Sequence, residues 1–229
     1  MAFTILPVHS SREVNQFHEL PFRIYDSWPK WIPPFRFEIE KIFDRKKNPF
    51  FGYGECERFL VMDNGRVCGR FAVMTHEKKD HLYDPVMGGL GFLEMEEDPE
   101  ILEAILTFAR NWHRDRGRGA FRGPVNFGEN DNYWGLLVEN FDEPPIYGMQ
   151  YHPPYYKERI EQSGAEKLDD HWSYKLYFDR PLPERLVKIT DRIEQRDGVE
   201  FRPIDMKNLY RDAEYIREIY NEGWREQDI

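Results

Sequence analysis

The densest polar chemistry in the sequence lies between Asn126 and Trp134. Glu129, Asn130, Asp131 and Asn132 follow one another there, flanked by Gly128 and by Tyr133 and Trp134. Such a run behind a strand end, with Arg122 just upstream, offers carboxylates, amides and a guanidinium to a small molecule, including one that bears a carboxylate. The same residues, Asn126, Asn130 and Asp131 above all, also suit turns and a helix cap, and both readings stay open. A second concentration is acidic. Glu96-Glu97-Asp98-Pro99-Glu100 stands where a helix begins, because Asp is a preferred N-cap residue and Pro a preferred first helical residue. Carboxylates there complement the helix dipole and compete with any anionic ligand for the same amides. His76, Asp80, His81 and Asp84 match no zinc-ligand spacing and read as a polar loop, so no metal is expected. Cys56 and Cys68 are far apart without a CxxC spacing, which suggests neither a disulfide framework nor a zinc site. No P-loop, GxSxG elbow, HExxH pair or GxGxxG fingerprint occurs.

The elements that must carry these residues are legible in outline. Residues 3–8 read as a strand, and Ser10 with Glu13 forms a capping box that opens a helix running to the region of Pro21. Residues 21–34 hold Pro21, Pro29, Pro33, Pro34, Trp28 and Trp31 and read as an irregular aromatic stretch, followed by a helix over 35–46. Strands over 57–63 and 66–76 meet at Asn64-Gly65, a strong hairpin signal. A strand over 88–95 precedes a helix whose Ile101, Leu102, Ile105, Leu106, Ala109 and Trp112 share one face, ending at Gly117 or Gly119. A strand over 120–125 leads into a long loop with a short helix over 126–154. Residues 154–162 are predicted helical with Gly164 as the stop, and 165–178 carry a strand or strand pair. This order describes an α/β protein with a mixed sheet.

Composition narrows the function. The 229 residues suffice for one domain and part of another. With 40% hydrophobic and 32% charged residues the chain is that of a folded protein, and its 16% aromatic content predicts a ring-lined core or pocket. A net charge of −10 argues against nucleic acid and against an anionic membrane surface as partners. No apolar run reaches the ~20 residues that span a bilayer, and the segment from Met1 to Val8 lacks the basic lead and cleavage site of a signal peptide. A cytoplasmic protein acting on a small molecule is expected.

The N-terminal pattern recurs. Pro7-Val8 matches Pro203-Ile204 and Trp28 matches Trp224, each 196 residues further on, while Ile24-Tyr25 matches Ile219-Tyr220 after 195. A tandem duplication is expected, with residues 1–178 as the first domain and 179–198 as a linker and helix. Residues 199–229 then form the first strand and helix of an incomplete second copy, with an exposed apolar face. A complete single domain with its C-terminal elements folded back is the alternative.

Residues 50–178 resemble the GNAT acyltransferase superfamily and, within it, bacterial tandem GNAT-like proteins. The resemblance rests on Asn48-Pro49-Phe50-Phe51, on Phe59-Leu60-Val61 with Gly69-Arg70-Phe71-Ala72, and on Gly91-Phe92-Leu93-Glu94. Gly123-Pro124-Val125-Asn126, Asn130-Asp131, Gly135-Leu136-Leu137, Phe141-Asp142 and Tyr151-His152-Pro153-Pro154-Tyr155-Tyr156 extend it. It implies a mixed, mostly antiparallel sheet flanked by helices, with a bulged fourth strand facing the pantetheine of acetyl-CoA or another acyl donor. It also implies Glu94 as a general base and Tyr155 or Tyr156 near the place of a tyrosine general acid, although Ile160 holds the usual position relative to Gly164. Arg122, Asn126, Glu129, Asn130, Asp131 and Trp134 would then contact substrate. The chain departs from the family where the pyrophosphate belongs: residues 96–100 contain no glycine and four carboxylates, so a donor site in this copy is doubtful. Two functions follow. One is acyl or aminoacyl transfer to an amine, with the donor held by the second copy, which is expected to pack against this one. The other is a non-catalytic ligand-binding or interaction module on the same scaffold.

Overall fold

The computed structural model describes residues 3–128, 132–196, 198 and 200–223, in two compact units, Met1–Leu168 and Asp169–Ile229. The first unit is organised by a sheet in the order β1 (Thr4–Pro7), β2 (Cys56–Asp63), β3 (Arg66–Met74), β4 (Met87–Met95), β5 (Ala120–Arg122). Neighbours are antiparallel except β4 and β5, which run parallel. The β2–β3 hairpin turns through Asn64 and Gly65 at φ 47° and 83°, the left-handed pair that a two-residue turn requires. In β4, Phe92 adopts φ 49°, and the register against β3 passes from Arg70↔Glu94 to Ala72↔Gly91. Two residues, Phe92 and Leu93, therefore oppose Phe71 alone, which defines a β-bulge. The bulge resets the alternation, so Leu90 and Leu93 share one core while Phe92 joins the other.

Helices cover both faces. α1 (Ser11–Ile24) opens with the reciprocal Ser10–Glu13 capping box and buries Phe17 and Leu20 on one face of the sheet, beside Ile39 of α2 (Arg36–Phe43). α3 (Pro99–Arg114) lays Ile101, Ile105, Ala109 and Trp112 on the other face, where α4 (Tyr155–Gln162) adds Tyr156. α3 and α4 are followed by Gly117 and Gly164 at φ 72° and 81°, the usual helix-stop geometry. Among the described residues no helix is long and apolar enough to cross a membrane.

Several boundaries differ from expectation. α1 continues past Pro21 to Ile24, because a proline removes only its own bond to the carbonyl four residues earlier. α2 stops at Phe43, where the Asp44 carboxylate accepts from the amide of Lys46 and turns the chain. β5 ends at Arg122; Pro124 has no N–H to continue a ladder. No helix forms among the described residues of 126–154. No strand forms over 165–178, although Trp172, Tyr174, Leu176 and Phe178 alternate. Beyond Leu168 that segment belongs to the second unit, whose described residues form α5 (Glu184–Glu194), α6 (Leu209–Gly223) and a short 3-10 turn, with no strand to share a ladder. Residues 200–204 also lack the expected strand, and Val199 and Trp224 lie outside the described residues.

Ile105 is fully buried between α3 and the sheet. Ile105→Ala should cost about 2–5 kcal/mol through lost burial and a residual cavity. The check is a urea melt whose midpoint falls with an unchanged slope.

Candidate functional site

The bulge places a carboxylate where the sheet would otherwise hold an apolar side chain. Glu94 stands in register with Arg70 on β3, and Arg70 Nε donates to Glu94 Oε2 at 2.6 Å. Both residues are buried. A buried ion pair is tolerable only when its remaining polar atoms are also satisfied. Here Pro21 contributes from a distance. Lacking an N–H, it leaves the Phe17 carbonyl without its helical donor, and Arg70 Nη1 donates to that oxygen at 2.6 Å. The guanidinium carbon also sits 4.5 Å from the centre of the Phe17 ring, a cation–π contact. Arg70 is thus fixed by helix, ring and carboxylate together. Glu94 Oε1 has no hydrogen-bond partner among the described residues.

Tyrosines close the surroundings. Tyr25, at the C-terminus of α1, donates to the Tyr151 carbonyl at 2.9 Å. Burial, reinforced by the charge of Glu94, drives its hydroxyl pKa well up. Tyr156 accepts from the Met95 amide at 2.7 Å, and both Tyr156 and Tyr155 direct hydroxyls at the Met95 carbonyl, at 3.1 and 3.0 Å. Burial pushes Tyr155 up to about 12 and Tyr156 well above its usual value. Both therefore stay protonated at neutral pH, bound to β4 backbone. His152 is fully buried beside Tyr156, its ring centre 5.2 Å away. The Leu137 amide donates to Nδ1 at 3.2 Å, which leaves the ring proton on Nε2, a buried donor without a partner among the described residues. Burial pulls this imidazole down to about 4 against the opposing charge of Glu94.

The loop residues form a separate group. Arg122 lies between the rings of Tyr83 and Trp134, 4.9 Å from each centre. Asn126 is buried and donates to the Asn132 carbonyl. Glu129, Asn130 and Asp131 lie outside the described residues. A cleft of about 320 Å³ opens here, lined among others by Glu38, Lys41, Asn48, Asn126, Tyr133 and Tyr147. Tyr133 joins it to the bulge, with its ring 5.9 Å from that of Phe92. The structure thus gathers Glu94, Tyr155 and Tyr156 at β4, and Arg122, Asn126 and Trp134 at the loop. Arg70, Tyr25 and His152 were not singled out from sequence as site residues. Arg70 and His152 lay inside quoted motifs, but their partners are distant in the chain. Among the described residues no group of three or more His, Cys, Asp or Glu could hold a metal ion. Asp80 pairs instead with Arg118.

The start of α3 is closed by its own chain. Asp98 Oδ1 accepts from the Glu100 amide at 2.8 Å, the Ile101 amide is directed at the Asp98 carbonyl at 3.1 Å, and Pro99 has none to offer. Glu96 is held by Arg66 and Arg23, and Glu97 lies 4.0 Å from Arg159. A pyrophosphate needs free amides and positive potential at a helix N-terminus. These residues do not fit one, and the Met95 backbone groups beside them are already engaged by tyrosine.

This sheet, with its bulged fourth strand and its parallel β4–β5 pair, has a counterpart among solved structures. A tandem GNAT protein from the clavulanic acid biosynthesis pathway superposes with a TM-score of 0.52 at 17% identity, over 73% of this chain and 45% of that one. The chain has the GNAT acyltransferase fold. No family model matches it. In sequence it is 32% identical over 225 residues to a bacterial ceramide synthase of Caulobacter vibrioides, covering 96% of this chain and 57% of that protein. It is 26% identical over 217 residues to protein YghO of Escherichia coli, covering 94% and 55%. The chain spans little more than half the length of these curated relatives.

The histidines give the stability a pH dependence. His152 and His113 both titrate near 4 when folded, lowered by burial from an ordinary 6.5. Between those values the unfolded chain binds protons that the folded one does not, so stability is full above about pH 6.5 and falls as pH drops toward 4. Each imidazole should remove on the order of 2 kcal/mol between pH 7 and 4.5. Urea melts across this window should show a shallower dependence for His152→Gln than for the unaltered chain. An unchanged slope would rule out the buried neutral imidazole.

Proposed function

We propose that this chain is the acceptor half of an N-acyltransferase, moving an acyl group onto the amine of a long-chain amino alcohol. The observation that carries the reading is the Glu94 carboxylate, held by Arg70 at the β4 bulge with one oxygen left over. An ammonium arriving at Oε1 would lose a proton to it, freeing the lone pair for attack on the carbonyl of an acyl thioester; the C–S bond then breaks and the thiolate leaves as a thiol, taking up a proton released by the amine. The buried Nε2–H of His152 supplies a nearby neutral donor. Tyr155 and Tyr156 serve as positioning residues for β4 rather than as acids, since their protons are committed to the Met95 carbonyl. Asn126 lines the acceptor cleft, and Arg122 and Trp134 stand beside it on the same side of the sheet end as contacts for the substrate; Glu129, Asn130 and Asp131 are proposed as further substrate contacts on sequence grounds alone. The amine class comes from the relative named a bacterial ceramide synthase, since a ceramide is an amide of a long-chain amino alcohol.

The closed N-terminus of α3 argues that the acyl-CoA is held elsewhere, in a second GNAT-like copy that begins at residue 199, after the linker and helix over 179–198, and packs against this one. The greater length of both relatives supports this arrangement, as does α6, which takes the place in the repeat that α1 has in the first copy. A cytoplasmic location suits the two free, buried thiols, Cys56 and Cys68. The same closed N-terminus favours a second reading, a ligand-binding module without catalysis. The decisive experiment offers the full protein a long-chain 2-amino alcohol and a fatty acyl-CoA, with amide detected by mass spectrometry. Amide formation should fall by about 10²–10⁴-fold in Glu94→Gln. If the unaltered protein makes no amide, or Glu94→Gln makes as much, the catalytic reading fails.

A further inference from the structure

In the first unit, the stretch from the end of α1 into α2 exposes large apolar side chains. Phe35 and Phe37 are 60% and 69% exposed, with rings 5.6 Å apart, and Ile32 and Phe22 are exposed beside Trp31. Tyr147, itself exposed, is tied to this face by its hydroxyl on Glu38. An apolar patch of this kind on a folded protein marks a contact surface.

Charge indicates what it contacts. From residue 23 to residue 47 the sequence places seven Lys and Arg against four Asp and Glu, within a chain of net charge −10. Of the four carboxylates, Glu40 is neutralised from outside the segment by Arg58 and shares a hydrogen bond with His18; against burial, which pushes it up, the hydrogen bonds and charges of His18 and Arg58 hold it down at about 2. Lys30, Lys41, Arg45 and Lys46 remain exposed. The local field is therefore positive although the molecule as a whole is acidic, and an approaching surface responds to the nearest charges within a Debye length of about 8 Å. Exposed aromatics rimmed by lysines are the composition of a membrane-interface anchor, whereas protein–protein interfaces are depleted in lysine. Pro29, Pro33 and Pro34 stiffen the segment, so little chain entropy is lost on docking. The face also adjoins the cleft, since Glu38, Lys41 and Tyr147 line it.

We propose that residues 22–37 dock on a lipid bilayer bearing anionic headgroups, so that the cleft receives its amine directly from that surface. The inference rests on the acyltransferase reading for the identity of the amine, and on this face alone for the docking. It replaces the expectation, drawn from net charge, that no membrane surface would be a partner. The aromatic rings enter the headgroup region while the lysines stay at the level of the phosphates.

Co-sedimentation of the protein with phosphatidylcholine vesicles, with and without phosphatidylglycerol, tests this. Binding should require phosphatidylglycerol and weaken as salt is raised. Phe35→Ser with Phe37→Ser should reduce it by about tenfold or more, and Lys30→Glu with Lys46→Glu by about fivefold or more. These side chains are exposed, so circular dichroism and melting should not change. Absence of binding at low salt, or variants that sediment like the parent, overturns the proposal. Gel filtration provides a further outcome: a self-associated parent that the Phe35→Ser, Phe37→Ser pair converts to monomer shows an interface between copies and also overturns it. Failure of the two readings is separable. Vesicle binding without amide formation removes only the acyltransferase reading, and amide formation from detergent-dispersed amine without vesicle binding removes only the docking.

Discussion

A buried carboxylate cannot stand alone in a protein interior, and the first unit of this chain is arranged around that constraint at Glu94. Leaving it unpaired would cost several kcal/mol, so Arg70 must lie opposite it, and Arg70 in turn must find partners for its remaining donors. The Phe17 carbonyl supplies one because Pro21 cannot. The Phe17 ring covers the guanidinium face. The register of β3 on β4, the reset of alternation at Phe92 and the position of α1 together bring this pair and its partners into contact. The bulge turns a strand that is buried on both faces into a platform for a charged group at the sheet's centre.

Two features of the site pull in opposite directions, and their magnitudes decide between them. The sheet and bulge present the buried Glu94 carboxylate, held by Arg70, at the centre of the sheet. The helix N-terminus, where such folds hold a phosphate, is instead capped by Asp98 and surrounded by Glu96, Glu97 and Glu100. Each carboxylate there gains about 0.3–1 kcal/mol from the dipole. One like-charge pair at 4 Å in an effective dielectric near 20 costs about 4 kcal/mol before screening. A phosphate would have to displace the cap and then endure that repulsion, so the acidic arrangement wins. The proposed division of labour between an acceptor half and a donor half accommodates both facts.

Local chemistry was legible in the sequence wherever neighbours in the chain determine it. Asn64-Gly65 announced the hairpin, Ser10 and Glu13 the capping box, Asp98-Pro99 the start of α3, and the spacing from Ile101 to Trp112 its buried face. Glu94 was legible only through resemblance to a family. Its partner Arg70 was not, because a cross-strand ion pair at a bulge depends on register, which no local pattern encodes. His152 and Tyr25 stayed hidden for a related reason: their roles come from burial by segments more than a hundred residues away or from a loop without regular structure. The alternation of Trp172, Tyr174, Leu176 and Phe178 reads as a strand, but a strand needs a neighbour, and sequence pattern alone does not say whether one exists. The aromatic segment over 21–34 was recognised as irregular, while its exposure required the packed structure.

The coupling between Arg70 and Glu94 is measured directly by a double-mutant cycle in urea. Arg70→Met should cost about 3–5 kcal/mol by stranding a buried carboxylate, and Arg70→Met with Glu94→Leu should recover most of that loss. If the costs of the two single substitutions instead add in the double variant, the pair is not what organises the bulge, and the account is wrong.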